Sequence, residues 1–216
     1  MSNCRTINID NIVKYDEFYE SNLISKVTTK ALSKNSINEV CYNIPASGKM
    51  NYKFSLEIPT MTVTNQKSSG RCWLFAALNV LREKLRSNIN VESIELSQNY
   101  ISFFDKFEKA NFFLEKIIET ADKPVEDRLV NWLLRDPIND GGQWDMFVGL
   151  VKKYGLVPKD AMPETFQSSN TSEMNKLLKT KLREYAYTIR TNINNGVSLE
   201  VVREKKEVML KEIYNV

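Results

Sequence analysis

The sequence predicts an α+β fold that is mostly helical. Seven glycines in 216 residues are few, and helix-favouring residues are common. From about residue 69 onward, apolar residues recur at helical spacing in one segment after another. Only residues 52–64 begin with the alternation of apolar and polar side chains that marks a strand, and Pro59 breaks that run.

The elements follow in chain order. Residues 1–51 read as an N-terminal arm of short helices and polar loops, with helical character from Ile12 to Leu23. Asn35, Asn38, Asn43 and Pro45-Ala46-Ser47-Gly48 mark turns. Ser47-Gly48-Lys49 resembles the end of a phosphate-binding loop. Asn43 stands where that motif needs a glycine and Met50 where it needs Ser or Thr, so it reads as a surface turn. Residues 52–216 form the main body. A helix from Ser69 to Arg86 carries Leu74, Leu78, Leu81 and Leu85 on one face, widened by Phe75, Ala77 and Val80, and is expected to be the central one. Residues 93–120 are helical and rich in Phe and Tyr. Pro124, Glu126 and Asp127 announce a helix to about Leu134, which stops near Asp136-Pro137. Trp144, Phe147, Val148, Val151 and Tyr154 define another, closed by Gly155 with Pro158 beyond. After a loop at 156–171, helices over 172–190 and 198–213 start at the candidate caps Ser172 and Ser198. The Asn192–Gly196 turn separates them. Trp73 and Trp144 are expected to pack in the core.

Composition excludes several classes. The net charge of +3, from 30 basic and 27 acidic residues, is too balanced to indicate a nucleic-acid protein. Residues 172–216 have a mild basic excess that reads as a solvated face. No stretch approaches the roughly 18 apolar residues of a membrane span, and the polar N-terminus lacks the apolar region of a secretory signal. Cys4, Cys41 and Cys72 are odd in number and widely spaced, which suits a reducing compartment and predicts a cytoplasmic protein. Histidine is absent altogether. That removes the usual general base and the commonest zinc ligand, and no CxxC pair is present, so neither a metal nor another cofactor is expected.

The chemistry gathers at Gln66-Lys67-Ser68-Ser69-Gly70-Arg71-Cys72-Trp73. A nucleophilic cysteine must be a thiolate near neutral pH, a state that helix N-termini and cationic neighbours favour. Cys72 lies in the first turn of a strong helix, with Arg71 and Lys67 close by. Acyl transfer also needs donors for the developing oxyanion. The Gln66 side-chain amide and the Cys72 backbone N–H are the candidates. A base oriented by a third group completes such a site.

The string Asn65 to Trp73 resembles the active-site segment of papain-like cysteine peptidases, and specifically the bleomycin hydrolase and aminopeptidase C family. Glu95-Leu96-Ser97-Gln98-Asn99-Tyr100, Lys109 to Glu115, Asp140 to Met146, Tyr154 to Pro158 and Met162 to Thr165 are similar to that family in the same order. The resemblance runs from about Tyr52 to about Glu184. It implies a papain-like helical lobe with the cysteine-bearing helix at its centre, the β-barrel lobe being largely missing, so that 52–216 is an incomplete catalytic domain. It implies Cys72 as nucleophile, Gln66 as the oxyanion-hole amide, and Gly141 and Gly142 as the pair whose backbone aligns an extended peptide, a task glycine suits because another backbone can approach it closely. Read from the residues alone, Gly141-Gly142 is equally a turn before a helix.

The family's base is a histidine oriented by an asparagine. In papain-type chains it lies about 130–150 residues downstream of the cysteine, and in bleomycin hydrolases later still. None follows Cys72 here. The expected function is therefore a cysteine aminopeptidase acting on peptide N-termini, with this chain as an N-terminal half lacking the catalytic His and Asn. Its origin as a fragment, a split enzyme or a pseudoenzyme stays open. The alternative is a non-catalytic peptide-binding or assembly module. The partner expected is a peptide. The resemblance also implies a homo-oligomer, a hexamer in the family, though much of what should build that ring lies outside these residues. Neither a membrane nor a nucleic acid is expected.

Overall fold

The structure, a computed structural model, describes residues 6–49, 53–89 and 91–216; Cys4 and Tyr52 lie outside them. The chain divides into two compact units, Met1–Ile58 and Pro59–Val216.

The first unit holds α1 (Ile9–Ser21), α2 (Leu23–Leu32), α3 (Ile37–Cys41) and α4 (Ile44–Lys49). The helical character expected from Ile12 to Leu23 is real but broken at Asn22. That residue ends α1 in an extended conformation and caps α2, accepting from Ser25 N at 3.1 Å. The turn expected at Pro45–Gly48 is instead part of α4. Asn43 Oδ1 caps it by accepting from Ala46 N at 3.0 Å, and Pro45 falls in the first turn, where a missing N–H costs nothing. None of these helices contributes a buried residue.

The strand expected over 52–64 does not form: residues 53–64 run without a ladder. In the second unit, side chains of the following helix occupy the backbone groups a neighbouring strand would take. Met61 N donates to Glu83 Oε1 at 2.9 Å, and Thr62 O accepts from Arg82 Nη2 at 2.5 Å. Among the described residues, β-structure reduces to isolated bridges, Ser68 with Asn170 and Leu96 with Pro158.

The second unit continues with α5 (Cys72–Ile89), α6 (Gln98–Glu119), α7 (Arg128–Arg135), α8 (Trp144–Tyr154), a 3₁₀ turn at Lys159–Ala161, α9 (Phe166–Ser169), α10 (Ser172–Asn194) and α11 (Leu199–Asn215). The expected helix signals work where a cap is local. Asp127 accepts from Leu129 N and Val130 N at the start of α7, and Ser198 caps α11. Gly155 and Gly196 take positive φ after α8 and α10, a conformation glycine adopts without strain. Ser172 is not a cap. Thr171 occupies that position, and its hydroxyl is engaged elsewhere.

The cysteine-bearing α5 packs against α6 and α8, and α6 packs against α5, α7, α8, α10 and α11. Its C-terminal half joins α7, α10 and α11 in one apolar core around Phe113, Ile117, Leu182 and Ile189. Its N-terminal half joins α5 and α8 in another around Leu74, Leu78, Ile101 and Phe147. Leu182 is fully buried in the first core. Leu182→Ala is expected to lower stability by about 2–5 kcal/mol, read as a fall in the urea midpoint with the slope unchanged; an unmoved midpoint would show that this core is not what stabilises the unit.

Candidate active site

Cys72 opens α5. The carbonyl of Arg71 accepts the first helical bonds, from Leu74 N and Phe75 N, which leaves Cys72 in the first turn with its side chain exposed. The loop before it, Asn65–Arg71, is shaped by short-range bonds. Lys67 holds a left-handed φ of 55°, an unfavoured state for a residue with a Cβ, while its N–H donates to Asn65 Oδ1 at 2.8 Å. Ser69 Oγ donates to Gln66 O at 2.6 Å, and Ser68 N pairs with Ser169 O at 3.0 Å. Gln66 is half-buried, and its carboxamide oxygen is buried without a hydrogen-bond partner.

Arg71 looks in sequence like a cation beside the thiol. It is instead a structural ion, 1% exposed. Its guanidinium grips the Glu164 carboxylate in a fork at 3.0 and 2.8 Å, and Nε donates to Ser69 Oγ at 2.8 Å. Burial alone would raise the Glu164 carboxyl, but the Arg71 and Ser168 hydrogen bonds outweigh it and hold it below the ordinary range.

The glycine loop, Asn139–Gln143, meets the cysteine loop through two reciprocal insertions. A Cβ on Gly70 would lie 2.7 Å from Asp140 Cβ, and one on Gly142 would lie 2.5 Å from carbons of the Trp73 ring. Each loop therefore supplies a bare backbone where the other places a side chain. Trp73 Nε1 also donates to Asp140 O at 2.7 Å, and Gly70 N to Asp140 Oδ2 at 3.4 Å. Gly141 differs: a Cβ there would meet only Asn139 Oδ1, at an ordinary 3.7 Å. Its carbonyl accepts from Lys109 Nζ at 2.6 Å. The structure thus joins Gly142 to the residue that follows Cys72 and places Gly141 beside it.

Beneath the glycine loop lies a buried charge cluster on α6. Lys106 Nζ bonds Asp140 Oδ1 at 2.5 Å and Asn139 O at 2.8 Å, and Lys109 Nζ bonds Asp105 Oδ2 at 2.7 Å. Burial pushes the Lys106 ammonium below its ordinary value and the Asp105 carboxyl above its own, despite their partners. Burial opposes the Asp140 charge too, but Lys106, Asn175 and Thr171 overcome it and hold that carboxyl well below the usual carboxylate range. No spacing rule pointed to this cluster, because its members come from α6, the 139–141 loop and α10.

Trp144 and Val80 are not core residues as expected. They are 58% and 65% exposed. Both line a groove of about 350 Å³ with Trp73, Ala76, Gly142 and Gln143, the kind of apolar concavity that takes a ligand's side chain. A larger hollow of about 880 Å³ lies among α6, α7 and α8 and is also bordered by Gly141 and Gly142. Cys41 is exposed in the arm, on α3. Among the described residues no His, Cys, Asp and Glu group could hold a metal ion, and no helix is long and apolar enough to cross a membrane.

The peptidase C1-like family model matches residues 6–216. Aminopeptidase C of Lactobacillus helveticus is 41% identical over 212 residues, covering 98% of this chain and 47% of its own length. Aminopeptidase C of Listeria innocua is 43% identical over 208 residues, covering 96% and 46%. Cysteine proteinase 1, mitochondrial, of Saccharomyces cerevisiae is 42% identical over 214 residues, covering 97% and 44%. The crystal structure of PepW from Lactobacillus rhamnosis HN001 superposes with a TM-score of 0.92 at 41% identity, covering 100% of this chain and 48% of that one. The chain spans about half the length of the curated relatives it matches.

Two outcomes are expected from this geometry. Gly142→Ala forces the Trp73 ring to move and should cost about 1–3 kcal/mol. Gly149→Ala, in the middle of α8 with open space around it, should be neutral or stabilising by up to about 1 kcal/mol. Equal thermal shifts for the two variants would refute the interlock. The second outcome concerns acid. Asp140 and Glu164 ionise more readily folded than unfolded. Their contribution is therefore full above the unfolded carboxylate values of about 4 and is lost as pH falls below them toward the folded values. The urea midpoint should fall between about pH 5 and pH 3, and Asp140→Asn should flatten that fall; an unchanged slope would show that Asp140 is not among the groups responsible.

Proposed function

The chain belongs to the peptidase C1-like family, and on that premise we propose that Cys72 is the nucleophile of a cysteine aminopeptidase that acts on peptide N-termini. The carrying observation is the exposed Cys72 thiol in the first turn of α5, interlocked through Gly70 and Trp73 with the glycine loop. In this reading the thiolate attacks the scissile carbonyl, and the Cys72 backbone N–H and the Gln66 carboxamide donate to the oxyanion. Support for Gln66 is its place on the turn that leads into Cys72. Support for the glycine pair is a contrast. Trp73 accounts for the absence of a side chain at Gly142, whereas no protein contact accounts for it at Gly141, in keeping with a surface left bare for a substrate backbone. The groove beside Gly142, walled by Val80 and Trp144, would receive an apolar substrate side chain.

A general base is required and no histidine exists in the sequence, so in this reading the base, and the asparagine that orients it, come from outside these residues. The same reading makes a peptide the partner and places the protein in the reducing cytoplasm, which suits the free Cys41 and Cys72. It also includes a homo-oligomer, for which exposed Phe112, Trp132 and Tyr187 offer apolar surface.

The test uses aminoacyl fluorogenic substrates. The chain alone is expected to show no turnover above buffer. Mixed with the histidine-bearing remainder of a relative such as the L. helveticus aminopeptidase C, it should gain turnover that Cys72→Ala removes by about a thousandfold or more. Cys72-dependent hydrolysis by the chain alone would overturn the placement of the base elsewhere. Peptide binding that survives Cys72→Ala, with no turnover in any mixture, would favour a non-catalytic peptide-binding module. Gly141→Ala should keep the melting temperature and weaken peptide binding; unchanged binding would remove Gly141 from the site.

A further inference from the structure

One residue touches the chain on both sides of the thiol. Asp140 accepts from Gly70 N through its carboxylate and from Trp73 Nε1 through its carbonyl, so its contacts bracket Cys72. Gly141 follows it directly. Building on the peptidase reading above, we propose that Asp140 is a positioning residue that sets the Gly141–Gly142 backbone in register with the Cys72 thiol.

The loop carrying Asp140 is fixed carbonyl by carbonyl. Asn139 O accepts from Lys106 and Lys109, Asp140 O from Trp73, and Gly141 O from Lys109. The carboxylate is saturated as well. Oδ1 accepts from Lys106 and Asn175, at 2.5 and 3.0 Å, and Oδ2 from Thr171, Asn175 and Gly70, at 2.7, 3.0 and 3.4 Å. Every partner is a donor, so only an ionised carboxylate fits. The amide of an asparagine would turn its NH₂ against donors on one side and deprive the buried Lys106 ammonium of its bonded carboxylate. Lys106 and Asn175 belong to α6 and α10, so the register between loop and thiol is tied to the two longest helices. A positioning role follows because reactivity toward a bound peptide depends steeply on alignment, with errors near 1 Å costing about a hundredfold.

The experiment compares two electrophiles on the full chain in a Cys4→Ser, Cys41→Ser background. Iodoacetamide reports the bare thiol. Gly-Phe chloromethyl ketone reports the thiol together with the glycine loop. Each forms a thioether at Cys72, releasing iodide or chloride while the thiol proton passes to water. The ratio of the two rates is referred to the same ratio for glutathione. The unsubstituted site should exceed glutathione, and Asp140→Ala should lower the ratio about tenfold while leaving the iodoacetamide rate within about threefold. Thr171→Val removes one donor to Asp140 Oδ2, at 2.7 Å, and leaves Lys106, Lys109 and the Trp73 ring in place. It should lower the ratio in the same direction, and it decides the matter if Asp140→Ala fails to fold by circular dichroism. Folded variants that retain the original ratio, or that lose both rates equally, overturn the positioning role. A site no better than glutathione before any Asp140 change instead overturns the peptidase reading beneath it.

Discussion

The second unit is organised by the burial of α6 around most of its circumference. A helix buried on several faces is usually apolar all round. This one buries apolar side chains towards both ends and carries Asp105, Lys106 and Lys109 between them. The apolar ends build the separate cores with α5 and α8 on one side and α7, α10 and α11 on the other. The charged turn between them faces the glycine loop, where backbone carbonyls and Asp140 accept hydrogen bonds from the lysine ammonium groups. A solvent-facing loop with no secondary structure of its own is thereby fastened to the most buried helix in the unit. Burying charge is costly unless it is paired and hydrogen-bonded. Lys106 meets that condition through Asn139 O and Asp140, which are in place only when the loop is, whereas Lys109 pairs with Asp105 on the helix itself and adds two loop carbonyls.

The cysteine loop is fastened differently. Its anchor is Arg71, whose fork with Glu164 reaches the segment just before α9 and whose Ser69 contact closes the turn. Arg71 and Cys72 are adjacent yet lie in opposite environments, one nearly inaccessible and the other exposed. A helix start makes that separation possible, since successive side chains there diverge by about 100°. The buried arginine fixes the orientation of the first turn, and the cysteine is carried outward by the same rotation. An arginine is suited to the task because its planar fork matches a carboxylate at two points, where a lysine would allow rotation about one.

Much of this fold was legible because its signals are local. Ser198 as a cap, Asp127 within a helix-start signal, Gly155 as a terminator and the leucine spacing of α5 all act within a few residues, and each has its counterpart in the structure. What could not be read depends on distant partners. Residues 53–64 alternate like a strand, but whether an alternating segment pairs depends on a neighbour, and Arg82 and Glu83 of α5 reach that backbone instead. Val80 and Trp144 follow the helical apolar pattern faithfully and still face solvent, because hydrophobic periodicity marks a face without saying whether protein or a groove lies opposite. Within the site, Cys72 and Gln66 were visible as one contiguous string. In the sequence Asp140 stands out only as the start of a segment similar to the family, and its bonds go to partners at Gly70, Trp73, Lys106 and Asn175, which no local window contains.

The two loops also explain how the Cys72 thiol and the Gly141–Gly142 backbone keep their geometry through contacts within this unit. In a Cys–His site the base is often credited with organising the nucleophile, through the hydrogen bond between them. Here the thiol's surroundings are set by the Gly70–Asp140 and Trp73–Gly142 insertions, by the Arg71–Glu164 fork and by the Lys106–Asp140 pair, all of which lie within this unit. None of these interactions requires a histidine. On the proposed reading, the division of labour is physical: this chain would build the electrophile-facing side of the site from buried ion pairs and close backbone approach. A base approaching from elsewhere would find the thiol already oriented, and would need only to come within hydrogen-bond reach of it.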